Sequence, residues 1–239
     1  MRRIFYLFAI VITLIFFIGC EKADQTKGPK IPQNGTENGY EYIEMGLSVK
    51  WATCNVGATK PEEYGDYYAW GETDPKTDYD WSTYKYCNGS SSTLTKYCDN
   101  SSYGNNGFTD TKTTLDPDDD VAHVKWGGDW RMPTIDEFTE LLNNCTCRWY
   151  NSGNTEFNGV AGYKVTSNVT GYTDRSIFLP AAGFRFGTNL NLVGTGGYYW
   201  SSSLEMDSPF NAWIVGFGSG KRDTYGYRDL GLSVRPVFP

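Results

Sequence analysis

The chain holds few of the side chains on which most enzyme chemistry depends. It has one histidine, His123, and six cysteines, the first of which is Cys20. One histidine cannot supply a metal site built from several imidazoles, and a Ser-His-Asp site would rest on that residue with no supporting motif. The Cys145-x-Cys147 pair cannot fill a zinc shell alone. The sequence therefore disfavours metal-thiolate, histidine-metal and serine-hydrolase chemistry.

Carboxylates are the remaining groups suited to acid–base chemistry. Two of them suffice for glycoside hydrolysis, and Asp66, Glu72 and Glu137 are the nearest candidates. No motif joins these three residues. A carboxylate-only hydrolase is accordingly the enzyme alternative that the sequence leaves open, while we expect a protein that is not an enzyme.

An acidic run, Asp116-Pro117-Asp118-Asp119-Asp120, offers the oxygen ligands that calcium prefers. As an EF-hand loop it fails, because Val121 stands where the glycine is required and Gly127 where the glutamate is required. Two interpretations remain. One is a weak calcium site at Asp116, Asp118 and Asp120, and the other is a solvated acidic run that caps a helix. We otherwise expect no cofactor.

The cysteines after Cys20 allow more than one pairing. Cys87 and Cys98 flank a polar loop in similar contexts, Tyr-Lys-Tyr-Cys and Thr-Lys-Tyr-Cys. A disulfide between them would stabilise the fold by about 2–4 kcal/mol, and the alternative is that both are reduced. Cys54 has two candidate partners, Cys145 and Cys147, and either pairing would leave one thiol over.

Residues 184–228 are the stretch best suited to bind a ligand. Tyrosine and arginine provide large contact areas and hydrogen bonds at modest entropic cost, and aromatic faces stack on sugar rings. We expect some of the aromatic residues there to be core, Tyr199 and Phe210 among them. The candidate ligand-binding residues are Arg185, Asn189, Asn191, Tyr198, Arg222, Tyr225, Tyr227 and Arg228.

The N-terminus predicts the location of the protein. Arg2 and Arg3 precede an apolar run over residues 4–18, which has the length of a secretory signal and is short for a membrane span. Phe17-Ile18-Gly19-Cys20 is similar to a lipobox, in which Cys20 is lipidated and becomes the first mature residue. An uncleaved signal anchor is the alternative. We expect residues 1–19 to be a signal peptide and residues 20–39 to be the lipidated cysteine with a flexible tether.

The body of the chain, residues 40–239, reads as one domain rich in short strands. Aromatic residues make up 16% of the chain and glycine occurs 27 times, a composition typical of strands joined by tight turns. Thr134 and Glu137 form a capping box that predicts a helix over 135–143. Predicted strands lie at 40–52, 64–72, 162–167, 175–179, 197–203, 211–217 and 230–237. The net charge of −7, without a basic stripe, argues against nucleic-acid binding.

Six blocks spread over residues 41–238 resemble the major paralogous domain family first described in Fibrobacter. They are Gly46–Gly57, Tyr64–Glu72, Trp130–Thr134, Ile177–Gly183, Tyr199–Ser203 and Leu232–Val237. The segment around Arg131-Met132-Pro133-Thr134 also resembles formylglycine-generating-enzyme-like proteins, which have a C-type-lectin-like fold.

The resemblance implies an α+β module of the C-type-lectin-like class, with two small antiparallel sheets, one or two helices and long loops. It does not imply catalysis here, because no cysteine follows Cys147 to serve as the late cysteine pair of formylglycine-generating enzymes. The calcium-binding motifs of sugar-binding C-type lectins are also absent from the sequence. The resemblance does point to stretch 184–228, where related variable proteins carry their diversified residues.

We therefore consider three alternative functions, in order of preference. The first is a non-catalytic binding module for a glycan or protein ligand, held at the outer membrane or cell surface by its lipid. The second is a structural or fimbria-associated subunit of the envelope. The third is the carboxylate-only hydrolase. The sequence predicts neither the ligand nor the oligomeric state.

Overall fold

The computed structural model describes residues 34–206, 208–218 and 225–239. Cys20 and the predicted signal peptide lie outside these residues. The described part of the chain belongs to one compact unit that spans Pro32–Pro239. Its helices are α1 (Val121–Trp126) and α2 (Ile135–Asn144), with short 3-10 turns at Asn105–Gly107 and Pro117–Asp119. Its strands are β1 (Asn34–Glu37), β2 (Tyr40–Ile43), β3 (Lys50–Ala52), β4 (Cys145–Tyr150), β5 (Gly162–Ser167), β6 (Ser176–Pro180), β7 (Phe184–Phe186), β8 (Asn189–Asn191), β9 (Gly196–Leu204), β10 (Asn211–Gly218), β11 (Tyr225–Tyr227) and β12 (Val237–Phe238).

The strands of the described residues form four small sheets in which every strand pair is antiparallel. The strand orders are β1-β2-β3-β12, β11-β10-β9, β4-β5-β6 and β7-β8. With two helices and many loops, this is an α+β fold. The resemblance implied two sheets, so the division into four is finer than expected.

Strands β9 and β10 run between two hydrophobic cores. Trp200 and Ile214 belong to one core, which also holds Trp70 and Trp130. Tyr199 and Val215 belong to the other core, together with residues of β3, α2 and β4–β6. Because side chains alternate between the two faces of a strand, one ribbon serves both cores. Because both faces of β9 and β10 are largely buried, these two strands are held in a fixed position. The edge strand β11 is positioned by its pairing with β10.

Helix α2 begins as the sequence predicts. The Thr134 hydroxyl accepts from the backbone N–H of Glu137, and the Glu137 carboxylate accepts from the backbone N–H of Thr134, which is the reciprocal capping box. Arg131 donates to both oxygens of Glu137, at 2.8 and 2.5 Å. Burial raises the pKa of Glu137, but these donors outweigh it and hold the pKa below its ordinary value. The Glu137 carboxylate is therefore occupied by hydrogen bonds that stabilise the start of the helix.

The tether ends earlier than the sequence predicted. Residues 34–39, expected to be flexible, form β1 and the turn into β2. Asn38 and Gly39 both have positive φ, 49° and 86°, which is the conformation that a two-residue hairpin turn requires. Tyr40 stacks on Trp126 at 3.9 Å between ring centroids. The Asn-Gly pair is the signal that the tether prediction overlooked.

Two segments that were predicted as strands have an irregular backbone over most of their length. Tyr64–Glu72 contributes only an isolated bridge, between Tyr68 and Leu232, because glycines 65 and 71 have positive φ and interrupt the extended backbone. Residues 230–237 follow a similar irregular path as far as β12. Arg235 fixes this path: it is fully buried and donates to Asn55 Oδ1 at 2.9 Å and to the Phe178 carbonyl at 2.9 Å.

Neither helix of the described residues has the length and apolar character that crossing a bilayer requires.

Candidate functional site

The stretch predicted to bind a ligand is built from two neighbouring pieces of the fold. One is the β7–β8 hairpin, and the other is formed by β10 and the edge strand β11. Arg185 of β7 and Gly231 exchange two backbone hydrogen bonds, of 2.8 and 3.0 Å. The hairpin therefore lies beside the turn that follows β11.

An open cleft of about 580 Å³ lies where β10 and β11 meet their flanking turns. Tyr225 and Tyr227 line it and are 56% and 52% exposed. Residues two apart on a strand point to the same face, so the two phenol rings stand side by side. The described residues that line it are Glu205, Ser208, Phe210, Asn211, Tyr225, Gly226, Tyr227 and Leu230.

Cross-strand pairing positions the aromatic rings. Tyr225 pairs with Trp213, and Tyr227 pairs with Asn211. The Trp213 and Tyr225 rings meet edge to face at 6.4 Å, while Phe210 and Tyr227 lie 6.1 Å apart. Rings with free faces can stack on an apolar face of a ligand, and hydroxyls at their tips can hydrogen-bond to it.

Asn211 is the buried polar residue of the cleft. It is only 5% exposed, and its side-chain oxygen Oδ1 has no hydrogen-bond partner. A buried acceptor without a partner costs about 1–3 kcal/mol, so native structures seldom retain one without a reason. The cleft thus holds an acceptor that the described residues leave unsatisfied.

One carboxylate occurs among the described residues that line the cleft. It belongs to Glu205, and none of these described residues is a lysine or an arginine. Glu205, Ser208 and Leu230 were not among the residues singled out from the sequence. They lie in turns with no periodic pattern, and only the fold brings them beside the tyrosines.

Arg228, predicted to contact a ligand, is instead fully buried. Its guanidinium donates to the Tyr84 hydroxyl at 2.9 Å and to the carbonyls of Lys96, Tyr97 and Pro209 at 2.8–3.0 Å. The rings of Trp70, Tyr84 and Tyr97 surround it. Alternation along β11 places Tyr227 outward, and the next residue therefore turns into the core.

The other predicted ligand-binding residues are dispersed. Arg185 is half-buried, with its guanidinium 5.2 Å from the centroid of the Tyr67 ring. Tyr198 is half-buried against Phe184. Asn189 is exposed and Asn191 half-buried, both on β8, while Arg222 lies outside the described residues. None of the four described residues, Arg185, Asn189, Asn191 and Tyr198, lines the cleft.

Of the two aromatic residues expected in the core, Tyr199 is fully buried. The expectation for Phe210 was wrong: this residue is half-buried and lines the cleft.

The acidic run is engaged by protein groups. Asp116 pairs with Lys112 and Lys96, at 2.6 and 2.7 Å. Asp120 caps α1, since its Oδ1 accepts from the N–H of Ala122 at 2.9 Å, and its Oδ2 accepts from the N–H of Met132 at 2.8 Å. Asp118 is exposed. The helix-capping interpretation is confirmed for Asp120. Within the described residues, no three acidic, histidine or cysteine side chains are grouped to hold a metal.

The predicted disulfide is not formed. Cys87 and Cys98 are both free thiols, as are Cys54, Cys145 and Cys147. The Cys87 sulfur donates to the Trp81 carbonyl at 3.0 Å, and the Cys98 sulfur donates to the Asn100 carbonyl at 3.2 Å. Each thiol thus has its own backbone acceptor near its position in the chain.

The carboxylates considered for hydrolysis have structural partners. Glu72 pairs with Lys76 at 3.0 Å and accepts from the Lys85 backbone N–H at 2.8 Å. Asp66 accepts from the Tyr68 hydroxyl at 3.2 Å, and Glu137 is held by Arg131. None of the three lines the cleft.

A family model described as a domain of unknown function, DUF8237, matches residues 164–237. This segment is less than half of the chain and contains all the described residues that line the cleft. No curated protein and no solved structure matches the chain at a significant level.

Proposed function

We propose that this protein is a lipid-anchored binding module of the cell surface whose cleft takes a glycan without catalysing its conversion. The observation that carries the proposal is the pair of half-exposed tyrosines, Tyr225 and Tyr227, on the wall of an open cleft of about 580 Å³. Sugar rings present apolar C–H faces with hydroxyls at their edges. Tyrosines with an apolar ring and a polar tip match both features.

We also propose the C-type-lectin-like class for the fold. Its support is the combination of small antiparallel sheets, two helices and long loops within the described residues, which is what the family resemblance implies. A membrane position rests on the N-terminal sequence alone. Metabolic labelling with a fatty acid is expected to mark the wild-type chain, whereas Cys20→Ser is expected to remain unlabelled and to leave the membrane fraction.

A glycan array tests the ligand class. The chain without its first 20 residues is applied with calcium and again with EDTA, alongside Tyr225→Ala/Tyr227→Ala. We expect selective, saturable binding by the wild type and loss of at least about tenfold in affinity in the double variant, since stacking contributes about 1 kcal/mol per ring. The matched control is Tyr172→Ala, which lies outside the cleft and is expected to bind as the wild type does.

A protein ligand is the second candidate, and the β7–β8 hairpin favours it. Four apolar side chains of this region are 40–53% exposed: Phe186, Leu190, Leu192 and Val193. A blank array in both conditions would contradict glycan binding. Crosslinking on cells would then decide between a protein ligand and a structural role in an envelope assembly, because an assembly subunit would be recovered with its neighbouring copies.

A further inference from the structure

The β7–β8 hairpin is fixed to the body of the molecule along one side. Arg185 exchanges two backbone hydrogen bonds with Gly231, and Gly187 exchanges two with Tyr79, all of 2.8–3.0 Å. These four bonds leave from β7 and from the residue that follows it. Strand β8 pairs with β7 alone among the described strands, so its other side is a sheet edge.

The pairing register shows which backbone groups this edge presents. Arg185 lies directly opposite Leu190. Because the N–H and C=O of Arg185 are bonded to Gly231, these two residues form a non-hydrogen-bonded pair. The N–H and C=O of Leu190 therefore point away from β7 and offer a donor and an acceptor to an added strand.

The side chains along this edge are apolar or neutral. Leu190 is 42% exposed, and three neighbouring apolar side chains are 40–53% exposed: Phe186, Leu192 and Val193. Strand β8 has no lysine, acid or proline, which are the residues that protect natural edge strands from pairing. A lipid bilayer could cover the apolar groups but could not satisfy the backbone of Leu190. The edge therefore favours another strand as its occupant.

Charge favours a second copy of the chain as the source of that strand. The net charge of −7 opposes the approach of two copies in general. Residues 176–204, however, contain no aspartate or glutamate and one basic residue, Arg185. Asp78 lies near Gly187, but the adjacent Tyr79 pairs on the β7 side of the hairpin. Two β8 strands can therefore meet without placing like charges opposite each other.

Strand β8 is also complementary to itself, because Asn189-Leu190-Asn191 reads the same in both directions. Antiparallel pairing about a twofold axis places Leu190 opposite its own counterpart, with which it would exchange two backbone hydrogen bonds. It also places Asn189 opposite Asn191, whose amides can hydrogen-bond to each other. Leu192 has a φ of 57°, which ends the extended backbone and keeps the paired segment short.

We propose that two copies of this protein associate through β8 and join their hairpins into one four-stranded antiparallel sheet. Four half-exposed apolar side chains per copy cannot bury the roughly 1,200–2,000 Å² of a standard interface, so the dimer is weak in free solution. Anchoring in one membrane, as proposed above, raises the local concentration of the copies. The pairing uses none of the described residues that line the β10–β11 cleft.

Disulfide crosslinking in cells that produce the full chain tests the register. Leu190→Cys is expected to give a linked dimer, since the Cα atoms of a hydrogen-bonded pair lie about 5.5 Å apart. Asn189→Cys alone should give none, because its counterpart would lie about 8 Å away, beyond disulfide reach. Asn189→Cys and Asn191→Cys, produced together with different tags, should give a mixed dimer. The wild type and Thr139→Cys, exposed on α2, are the controls for native thiols and random collisions.

A charge on the edge should block the association. Adding Leu190→Lys to the Asn189→Cys and Asn191→Cys chains places two ammonium groups opposite each other, and we expect the crosslinked fraction to fall at least about tenfold. Val124→Lys is the matched control, since Val124 is 49% exposed on α1, and it should leave the fraction unchanged. Circular dichroism confirms that each variant is folded.

Absence of a dimer with Leu190→Cys, or a dimer no more abundant than with Thr139→Cys, would overturn the inference. A crosslink from Leu190→Cys to a different protein would also overturn it, and would mark the hairpin as the site of a protein ligand. Each of these results leaves glycan binding in the cleft in place, because the glycan array tests that function separately.

Discussion

Arg228 shows how a single charge can be held in the core. Its guanidinium has four acceptors, a tyrosine hydroxyl and three backbone carbonyls. Three aromatic rings lie 4.9–5.8 Å from its central carbon. All three carbonyls belong to residues outside the helices and strands, Lys96 and Tyr97 in one loop and Pro209 in another. This side chain therefore joins two loops that are far apart in the sequence.

We expect Arg228→Lys to destabilise the protein by at least about 2 kcal/mol, because one ammonium cannot satisfy the four acceptors that the planar fork reaches. Urea unfolding measures the change. Arg148→Lys is the control: Arg148 is exposed on β4, and its replacement is expected to change stability by less than about 0.5 kcal/mol. Equal stabilities for the two variants would contradict the structural role of Arg228.

Asp229, the next residue, makes stability depend on pH. It is 1% exposed and its Oδ1 has no hydrogen-bond partner. Burial raises its pKa to about 7, its own backbone N–H opposes the shift, and Asp80 adds to it. The unfolded chain releases this proton near pH 4. The stability that Asp229 contributes is therefore greatest below about pH 4, falls as the pH rises to about 7, and changes no further above that.

Asp229→Asn should remove this dependence. The difference in free energy of unfolding, variant minus wild type, is expected to grow by a few kcal/mol between about pH 4 and pH 8. Unfolding titrations at several pH values give this difference in free energy. Its change with pH identifies the titration of Asp229, even if the substitution also alters stability by an amount that does not depend on pH. A flat difference for Asp229→Asn would refute the assignment.

Among the elements, those with their own local pattern were predictable. Strand β5 was predicted at 162–167, where it lies, and β9 and β10 were predicted to within one residue at each end. Helix α2 followed from its capping box. Tyr64–Glu72 was not predictable, because its extended backbone pairs only through a bridge to Leu232, far along the chain. The alternation of apolar and polar residues along a sequence indicates that one face of a strand is buried. It does not indicate which distant segment pairs with that strand.

We expect the capping box at the start of helix α2 to contribute measurably to stability. Thr134→Ala removes the acceptor for the Glu137 N–H and is expected to cost about 1 kcal/mol of stability. Thr139→Ala in the middle of the same helix is the matched control. Its exposed side chain only bonds back to the Ile135 carbonyl at 2.8 Å, so alanine is expected to be neutral or slightly stabilising. Thermal unfolding of both variants checks the difference, which would vanish if the cap were not formed.

Over the whole molecule, the candidate site could be predicted as a region but not as a surface. Tyr225 and Tyr227 were selected by residue type and lie in the cleft, whereas Arg228 was selected in the same way and is buried. Tyr227 is the last residue of β11 and Arg228 follows it directly, so residue type does not separate the two cases, and only the backbone path at the end of the strand does. Glu205 and Leu230 join the site through turns, so tertiary structure alone brings them together.

The reactivity of the cysteine thiols reports how well the interior of the whole molecule is protected from solvent. Burial raises the pKa of Cys54, Cys87 and Cys98, and that of Cys145 to about 12. Because the thiolate is the reactive form, a chromogenic disulfide reagent should react slowly with the native chain that lacks its first 20 residues. In denaturant without reductant we expect all five thiols to react. The melting temperature should also be the same with and without reductant.

A count of three thiols in denaturant would mean that one disulfide forms in the secreted protein. Peptide mapping would then identify the pair, and Cys87→Ser would distinguish the two states by stability. If Cys87 and Cys98 are joined, this variant loses about 2–4 kcal/mol. If both are free, serine replaces a half-buried thiol whose hydrogen bond to the Trp81 carbonyl it can also form, so the change should stay below about 1 kcal/mol.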